Sequence, residues 1–221
     1  MQEWIGKVKA VGFDVDGTLY HAPKELEEFF GEKLRQEIFE ELAEKLGVNL
    51  VEAEKIYWRK KNLLGSNTAT MESFGFDGER FFQELFDQFP LEKYLEKDER
   101  LVKMLAELEE DYRLFLISNG TGKQVRRKLK LLGIEEDWFE SFVTCYDYGW
   151  VKPQLEPFLK VTEEMGLEPN ECLYVGDRCE TDAVGAKNAG MRVAIIGREC
   201  GEADVKLDSV YGVERLFSVH C

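Results

Sequence analysis

The sequence predicts an α/β fold, with a Rossmann-like parallel sheet as its core and an all-helical cap inserted after the first strand. One short apolar run, residues 8–14, stands near the N-terminus. A long stretch with only helical periodicity follows it. From residue 98 onward, short apolar runs alternate with amphipathic stretches, which is typical of parallel strands joined by helical crossovers.

The first predicted strand, residues 8–14 (VKAVGFD), is mostly apolar and ends at an acid before a turn. In residues 25–46 apolar side chains recur every four positions with charges between them, which predicts an amphipathic helix that stops at Gly47. These side chains are Leu26, Phe30, Leu34, Ile38, Leu42 and Leu46. Two further helices are predicted over residues 50–63 and 79–89.

The later part of the chain predicts the remaining strands and helices of the core. The strands are residues 113–118, 141–145, 172–176 and 191–196, and the helices are residues 99–110, 122–132, 154–165, 181–189 and 211–218. We therefore expect a core made of residues 1–19 and 97–221 and a cap made of residues 20–96. In open sheets of this kind the ligand binds at the carboxyl ends of the strands.

Composition limits the classes of partner. The 221 residues carry 44 acidic and 29 basic side chains, a formal charge of −15. Such a chain repels nucleic-acid phosphates and anionic membranes, so we expect neither as a partner. No apolar run reaches the roughly 18–20 residues of a membrane span, and the N-terminus lacks a signal peptide. The sequence does not reveal the oligomeric state.

The five cysteines show neither zinc-site spacing nor a disulfide framework. They are Cys145, Cys172, Cys179, Cys200 and Cys221. An odd number without framework spacing predicts reduced thiols and a cytoplasmic protein.

Acidic residues follow two of the predicted strands. Asp14 and Asp16 leave the first strand through a Gly-Thr turn, so both can reach one ion. Asp177 follows the strand at 172–176, and Asp182 comes five residues later. Carboxylate oxygens without neighbouring His or Cys suit Mg²⁺, which also offsets their mutual repulsion.

Hydrogen-bond donors occupy the other strand ends. Ser118, Asn119 and Lys152 could together hold the non-bridging oxygens of a phosphate. Pro153 predicts that a helix starts directly after Lys152. A carboxylate nucleophile, a cation and such donors are the parts that phosphoryl transfer through an aspartyl-phosphate needs.

These residues resemble the motifs of the haloacid dehalogenase-like hydrolase superfamily, in its phosphatase branch. The four motifs are DVDGTL (Asp14 to Leu19), Ser118-Asn119, Lys152 in VKP, and Gly176-Asp177 followed by Asp182. The resemblance spans the whole chain, and each motif follows a predicted strand in the family's order.

The resemblance implies the catalytic and metal-binding roles. Asp14 would be the nucleophile and a Mg²⁺ ligand. Asp16 would be the general acid–base, and its backbone carbonyl would also bind Mg²⁺. Asp177 would bind the metal directly, and Asp182 either directly or through a neighbour. Members that release halide lack the second acid, so Asp16 favours phosphate-ester chemistry.

The resemblance also implies how the substrate is held. Ser118 and Lys152 would bind the phosphoryl group, helped by the backbone of Gly17 and Asn119. The insertion at residues 20–96 matches the family's helical cap, which closes over the substrate and excludes water.

We therefore predict a Mg²⁺-dependent phosphatase of a small metabolite, acting through an aspartyl-phosphate. Residues from Tyr57 to Gly65 loosely resemble the cap of pyrimidine 5′-nucleotidase relatives, so a nucleoside monophosphate is one substrate class. Phosphoglycolate and a sugar phosphate are two others. The alternatives are a phosphomutase, for which His21 is the one histidine in the predicted cap, and a non-enzymatic receiver-like signalling domain.

Plainer interpretations exist for some of these residues. Asp182 could serve only as the first-turn acid of a helix. The basic cluster Arg59, Lys60 and Lys61 could bind a second anionic group of the substrate, but a solvated helix face is the better explanation. Tyr57 is better explained by packing than by base stacking.

Overall fold

The computed structural model describes residues 3–64 and 67–217. The chain divides into two compact units, Met1–Ala22 with Leu95–Cys221 (the core unit) and Pro23–Tyr94 (the helical unit). The action of the helical unit as a cap over a substrate stays a prediction.

A parallel sheet of six strands forms the middle of the core unit, so the predicted fold class is confirmed. The strands are β1 (Ala10–Phe13), β2 (Arg113–Ser118), β3 (Phe139–Thr144), β4 (Cys172–Gly176), β5 (Arg192–Ile196) and β6 (Val205–Leu207). Their spatial order is β3-β2-β1-β4-β5-β6, and every neighbouring pair is parallel. The strand order changes direction at β1, which is where open sheets of this class bind ligands.

Nine helices are described in the two units. They are α1 (Lys24–Leu46), α2 (Leu50–Leu64), α3 (Asn67–Glu72), α4 (Gly78–Asp87), α5 (Glu99–Asp111), α6 (Gly122–Leu132), α7 (Glu156–Met165), α8 (Val184–Asn188) and α9 (Gly212–Phe217). The sequence did not predict α3 or β6, because six and three residues are too short to display a period. The predicted helix 181–189 is in fact a π-helical turn, Cys179–Ala183, followed by α8. Ser218, the last residue of the final predicted helix, lies outside the described residues.

Alternate residues of the strands bury opposite faces of the sheet. Val11 and Phe13 pack into the cluster that includes residues of α5, α6 and α9, whereas Ala10 and Phe115 pack into the cluster with α7. This three-layer arrangement explains why the strands are apolar on both faces. A Cβ at Gly12 would lie 1.9 Å from the Phe115 ring, so only glycine fits at that point of β1.

The helical unit is built on α1, whose predicted apolar row is only partly buried. Leu26, Ile38 and Leu42 are buried, but Leu46 is exposed. Residues four apart in an α-helix are offset by about 40° around the helix axis, so a row with this spacing gradually turns away from the packed face. Leu46, the last residue of the row, lies outside that face. Aromatic pairs fill the unit; Phe30 and Phe89, for example, stack with ring centroids 3.6 Å apart.

Among the described residues, no helix of either unit is both long enough and apolar enough to cross a membrane.

Candidate active site

The carboxyl ends of three adjacent strands bring the predicted site residues together. Asp14 follows β1, Ser118 ends β2 and Asp177 follows β4, and β1 lies between the other two strands. Lys152 comes from the loop after β3 and lies with them, since its Nζ is 2.6 Å from the Asp14 carboxylate. The edge of the sheet that the sequence predicts for the site is therefore where these side chains meet.

Lys152 is buried and fully engaged in hydrogen bonds. Its ammonium donates to Asp14 Oδ1 at 2.6 Å, to Asp182 Oδ1 at 2.7 Å and to the Tyr174 hydroxyl at 3.0 Å. The Tyr174 hydroxyl in turn donates to the carbonyl of Ile117 at 2.9 Å. A buried ammonium is stable only with such compensation.

The carboxylate of Asp14 and the ammonium of Lys152 shift each other's pKa. Burial raises the pKa of Asp14 to about 7, against the opposing pull of Lys152, and the charges of Asp182 and Asp16 add to the rise. Burial lowers the pKa of Lys152, but Asp14, Tyr174 and Asp182 outweigh it and hold that pKa well above its usual value. A cation bound beside Asp14 would favour its ionised form.

Three carboxylates form a group that fits a divalent cation. Asp14, Asp177 and Asp182 each offer an oxygen, and these oxygens lie within 4.8 Å of one another. Asp177 Oδ1 is buried and has no hydrogen-bond partner among the described residues. Burial and the charge of Asp182 raise the pKa of Asp177. An all-oxygen donor set with an unsatisfied carboxylate oxygen suits Mg²⁺.

Asp182 is not a surface acid at a helix start. It is 1% exposed, and its Oδ1 accepts from Lys152. Its Oδ2 accepts the backbone N–H groups of Asp177, at 3.2 Å, and Arg178, at 3.0 Å. Asp182 therefore shapes the loop that presents Asp177.

Asp16 lies apart from the three-acid group and has its own cation. Both of its carboxylate oxygens accept from Lys128 Nζ, at 2.6 and 2.8 Å, and the Tyr20 hydroxyl donates to Oδ1. Burial raises the pKa of Asp16, but Lys128 and Tyr20 outweigh burial and the net pKa is lowered. The proposed metal contact of Asp16 is its backbone carbonyl, so that role stays a prediction.

The remaining motif residues arrange the loops around the site. Ser118 is buried, and its Oγ accepts the N–H of Gly120 at 3.1 Å. The side-chain oxygen of Asn119 accepts the backbone N–H of Lys152 at 2.8 Å, so Asn119 fixes the loop that carries the lysine. Gly17 adopts a φ of +86° beside Asp177. Phosphate binding by these residues stays a prediction.

A model of the haloacid dehalogenase-like hydrolase family matches residues 8–190, which include all four motifs. The chain belongs to the haloacid dehalogenase-like hydrolases. The resemblance inferred from the motifs is confirmed.

Curated relatives of this hydrolase are phosphatases. The glyceraldehyde 3-phosphate phosphatase of Methanothermobacter thermautotrophicus is 37% identical over 93 residues, which is 42% of this chain and 41% of that protein. The N-acylneuraminate-9-phosphatase of Rattus norvegicus is 24% identical over 86% of this chain and 83% of its own. The predicted enzyme class, a phosphoric monoester hydrolase of this family, is confirmed.

Solved structures agree with the fold. A HAD phosphatase from Thermococcus onnurineus is 30% identical, with a TM-score of 0.68 over 95% of this chain and 97% of its own. The L-2-haloacid dehalogenase of Xanthobacter autotrophicus has a TM-score of 0.63 over 97% of this chain and 100% of its own, at 19% identity. That second likeness concerns the fold alone.

Sequence reasoning missed three side chains at the site of this hydrolase: Tyr20, Lys128 and Tyr174. Lys128 falls on the apolar face of α6, three residues after buried Val125 and one before buried Leu129. Tyr174 stands in the otherwise apolar strand β4. A polar group at an apolar position of a periodic element was the available signal, because a buried polar group needs a partner.

Two expectations about loops near the site are wrong. Pro153 does not open a helix, because α7 begins at Glu156 and carries Pro157 in its first turn. Cys179 and Cys200 form a disulfide, so these two cysteines are not reduced thiols. Sequence spacing could not reveal the pair, since the sheet brings the loops after β4 and β5 together. Cys145 and Cys172 are free and buried, and Cys221 lies outside the described residues.

The aromatic and basic residues singled out on α2 belong to the helical unit. Tyr57 is buried, and its hydroxyl donates to Asn67 Oδ1 at 2.7 Å, so it packs within that unit. Arg59, Lys60 and Lys61 occupy the same helix, and burial lowers the pKa of Lys61. Gly65, the end of the segment that resembles a nucleotidase cap, lies outside the described residues.

Proposed function

We propose that this protein is a Mg²⁺-dependent phosphatase that hydrolyses the phosphomonoester of a small metabolite through an aspartyl-phosphate on Asp14. The observation that carries the proposal is the contact of Asp14 with Lys152 beside the three-acid group, at the switch point of the sheet. Asp16, held two residues away, supplies the proton-transferring acid that phosphate-ester cleavage requires.

The chemistry divides into two displacements. In the first, an Asp14 oxygen forms a bond to phosphorus, the bond to the ester oxygen breaks, and Asp16 gives that oxygen a proton. In the second, Asp16 takes a proton from water, whose oxygen attacks phosphorus and releases Asp14 and inorganic phosphate. Lys152 neutralises charge on the transferring group throughout.

The two catalytic acids must start the reaction in opposite protonation states, Asp14 ionised and Asp16 protonated. Asp14 must be ionised to act as a nucleophile, whereas burial raises its pKa to about 7. Asp16 must first carry a proton, and Lys128 lowers its pKa. A dianionic phosphate bound beside Asp16 would raise that pKa, because a nearby like charge favours the neutral carboxyl.

Asp14 and Asp177 are the residues that would hold Mg²⁺, with the backbone carbonyl of Asp16. When bound, the ion supplies positive charge that ionises Asp14 and offsets the charge of the phosphate. Asp182 would act through its hydrogen bonds to the Asp177 loop, since both of its oxygens are already engaged.

Within the substrate classes left open by the sequence, we propose a sugar phosphate. The names of two relatives, a glyceraldehyde 3-phosphate phosphatase and an N-acylneuraminate-9-phosphatase, both denote phosphate esters of sugar-like compounds. The buried Tyr57 removes one reason to favour a nucleoside monophosphate, because a ring packed inside the helical unit is not available for stacking on a base.

The alternatives receive less support. A phosphomutase would need a base in the cap to shuttle the sugar, but His21 belongs to the core unit and residues 23–94 contain no histidine. A receiver-like signalling domain does not fit membership of a hydrolase family matched over residues 8–190.

A turnover assay with Asp14→Asn tests the proposal. With Mg²⁺ and an aryl phosphate, we expect the variant to lose about 10⁴-fold or more in kcat, the scale on which removing a nucleophile acts. Asp137→Asn, which changes an exposed acid, is the matched control and should keep full activity. Equal turnover by wild type and Asp14→Asn would contradict the proposal, and a panel of sugar phosphates, phosphoglycolate and nucleoside monophosphates then ranks the substrate classes.

A cytoplasmic location is also part of the proposal. Disulfides are rare in most cytoplasms but common in intracellular proteins of hyperthermophiles. The high content of charged residues, 33% of the chain, favours a heat-adapted source, so the disulfide and this location are compatible. The excess of acidic residues disfavours nucleic acid and anionic membranes as partners, and the names of the relatives support a small phosphate ester.

A further inference from the structure

The carboxylate of Asp16 is held on both of its oxygens by the core unit itself. Lys128 Nζ donates to Oδ1 at 2.6 Å and to Oδ2 at 2.8 Å, and the Tyr20 hydroxyl donates to Oδ1. Three contacts on a short side chain leave it one orientation. The Asp16 side chain is nevertheless 42% exposed, so the held carboxylate still has an open side.

Lys128 is placed for this contact by the packing of α6. Its side chain is 7% exposed, because it lies on the face whose neighbours Val125, Leu129 and Leu132 enter the core. A lysine at such a position costs stability unless its ammonium is paired, and the partner it meets is Asp16. An apolar side chain would satisfy the packing of α6 at this position, so the packing alone does not explain the lysine.

Tyr20 reaches Asp16 through the shape of the loop after β1. The N–H of Gly17 donates to the Tyr20 carbonyl at 3.0 Å, and Asp16 and Tyr20 form an isolated backbone bridge. The loop thus closes on itself and sets the Tyr20 ring beside the carboxylate. The two contacts therefore come from separate parts of the chain, 112 and four residues from Asp16.

We propose that Lys128 is a positioning residue for Asp16, with Tyr20 as its second contact, and that the pair fixes the carboxylate for proton transfer to the leaving oxygen. This inference rests on the proposed phosphatase function. Both hydrogen bonds described for the Lys128 ammonium go to Asp16, so Lys128 would act through that residue. Removal of Lys128 frees the Asp16 side chain to leave its productive orientation.

The test compares two leaving groups. An aryl phosphate such as 4-nitrophenyl phosphate releases a stable phenolate and needs little proton donation, whereas an alkyl phosphate such as glycerol phosphate needs a proton on its leaving oxygen. The readout is kcat/KM with Mg²⁺, because it covers the steps up to the first phosphorus–oxygen cleavage. A purely structural loss lowers both substrates alike.

We expect Lys128→Met to lose about 30-fold in kcat/KM for the alkyl phosphate and only a few-fold for the aryl phosphate, from the strength of hydrogen bonds to charged groups. Lys128→Arg should restore most of the loss, since it keeps the charge and the donors. Lys130→Met removes an exposed lysine from the same helix and should match wild type on both substrates.

Tyr20→Phe gives an independent measurement without changing a buried charge. It should show the same preference for the aryl substrate at about three- to tenfold loss for the alkyl phosphate. If circular dichroism and thermal unfolding show that Lys128→Met does not fold, the leaving-group preference of Tyr20→Phe tests whether Asp16 is positioned by these contacts.

Several outcomes would overturn the inference. They are an equal loss on both substrates in a folded variant, no rescue by Lys128→Arg, or a raised KM with unchanged kcat, which would make Lys128 a substrate contact. If wild type is active and the variants keep its leaving-group profile, only the positioning role fails. If wild type hydrolyses neither substrate, the proposed function fails and the inference falls with it.

Discussion

Gly17 lies where the loop after β1 touches the acid that follows β4. A Cβ built on Gly17 would stand 2.5 Å from Asp177 Oδ2, and the backbone there has a φ of +86°. Both facts demand glycine, one through contact and one through the left-handed backbone. The close approach holds Asp177 against the loop that carries Asp14 and Asp16.

This contact predicts a selective effect of Gly17→Ala. We expect the added methyl to displace Asp177, so that the Mg²⁺ concentration needed for half-maximal activity rises about tenfold or more, the scale of an outer-shell change at a metal site. A Mg²⁺ titration of activity measures it.

Gly166→Ala is the matched control, because Gly166 also has a positive φ, +60°, but no atom within 4 Å of its Cβ position. Both variants should lose about 1–2 kcal/mol of stability from the left-handed backbone, and only Gly17→Ala should change the Mg²⁺ requirement. An unchanged requirement in Gly17→Ala would refute the role of the contact.

Among the elements, the π-helical turn Cys179–Ala183 connects the site to the loop after β5. It carries Asp182, which holds the Asp177 backbone, and Cys179, which is bonded to Cys200 in the loop after β5. The cross-link spans 21 residues of sequence and ties the first residue of the turn to the loop after β5.

Removal of this cross-link should cost stability and loosen the Asp177 loop. For the double variant Cys179→Ser/Cys200→Ser we expect about 3 kcal/mol less stability, from the chain entropy of a loop of this length, with a smaller fall in activity. Denaturant unfolding with and without a dithiol reductant measures the change. The reductant should destabilise wild type and leave the double variant unchanged, and equal stability of the two proteins would show that the disulfide does not form.

At the scale of the whole molecule, the acidity of the chain has a local consequence. Lys152 pairs with two carboxylates, Asp14 and Asp182, and a third acid, Asp177, lies within the same group without a direct ion pair to it. Burial first, and then the charge of Asp182, raises the pKa of Asp14 from 3.8 to about 7 and also raises the pKa of Asp177. A pKa raised in the folded state adds stability at low pH, and this added stability is lost as the pH rises through the folded-state pKa.

Stabilisation by Mg²⁺ should therefore depend on pH. Metal competes with protons for Asp14 and Asp177, so the rise in Tm on adding saturating Mg²⁺ should be about 5 °C or more near pH 8 and much smaller near pH 5. Asp16 has the opposite shift, a lowered pKa, and so contributes stability that is lost only in acid.

Thermal unfolding at both pH values, with Asp177→Asn as the variant and Asp137→Asn as its control, measures this dependence. Asp177→Asn should lose most of the Mg²⁺ response, while Asp137→Asn should keep it. A response that is equal at the two pH values would contradict the coupling between metal and protons.

The sequence by itself determined the fold class, the family and the identity of the four motifs. Each motif stands directly after an apolar run, and parallel strands place their carboxyl ends at one edge, so Asp14, Ser118 and Asp177 could be gathered from pattern alone. Strand and helix periods are local properties, and the longer elements display them over enough residues to be read.

Tertiary structure alone decided the contacts between residues distant in sequence. Lys128 meets Asp16 across 112 residues, Tyr174 meets Lys152 across 22, and the cysteines at 179 and 200 meet because β4 and β5 are neighbours. No local period records which strand lies beside which. The sequence thus named the acids of the site, and only the packing of α6 and the order of the sheet showed which cations hold them.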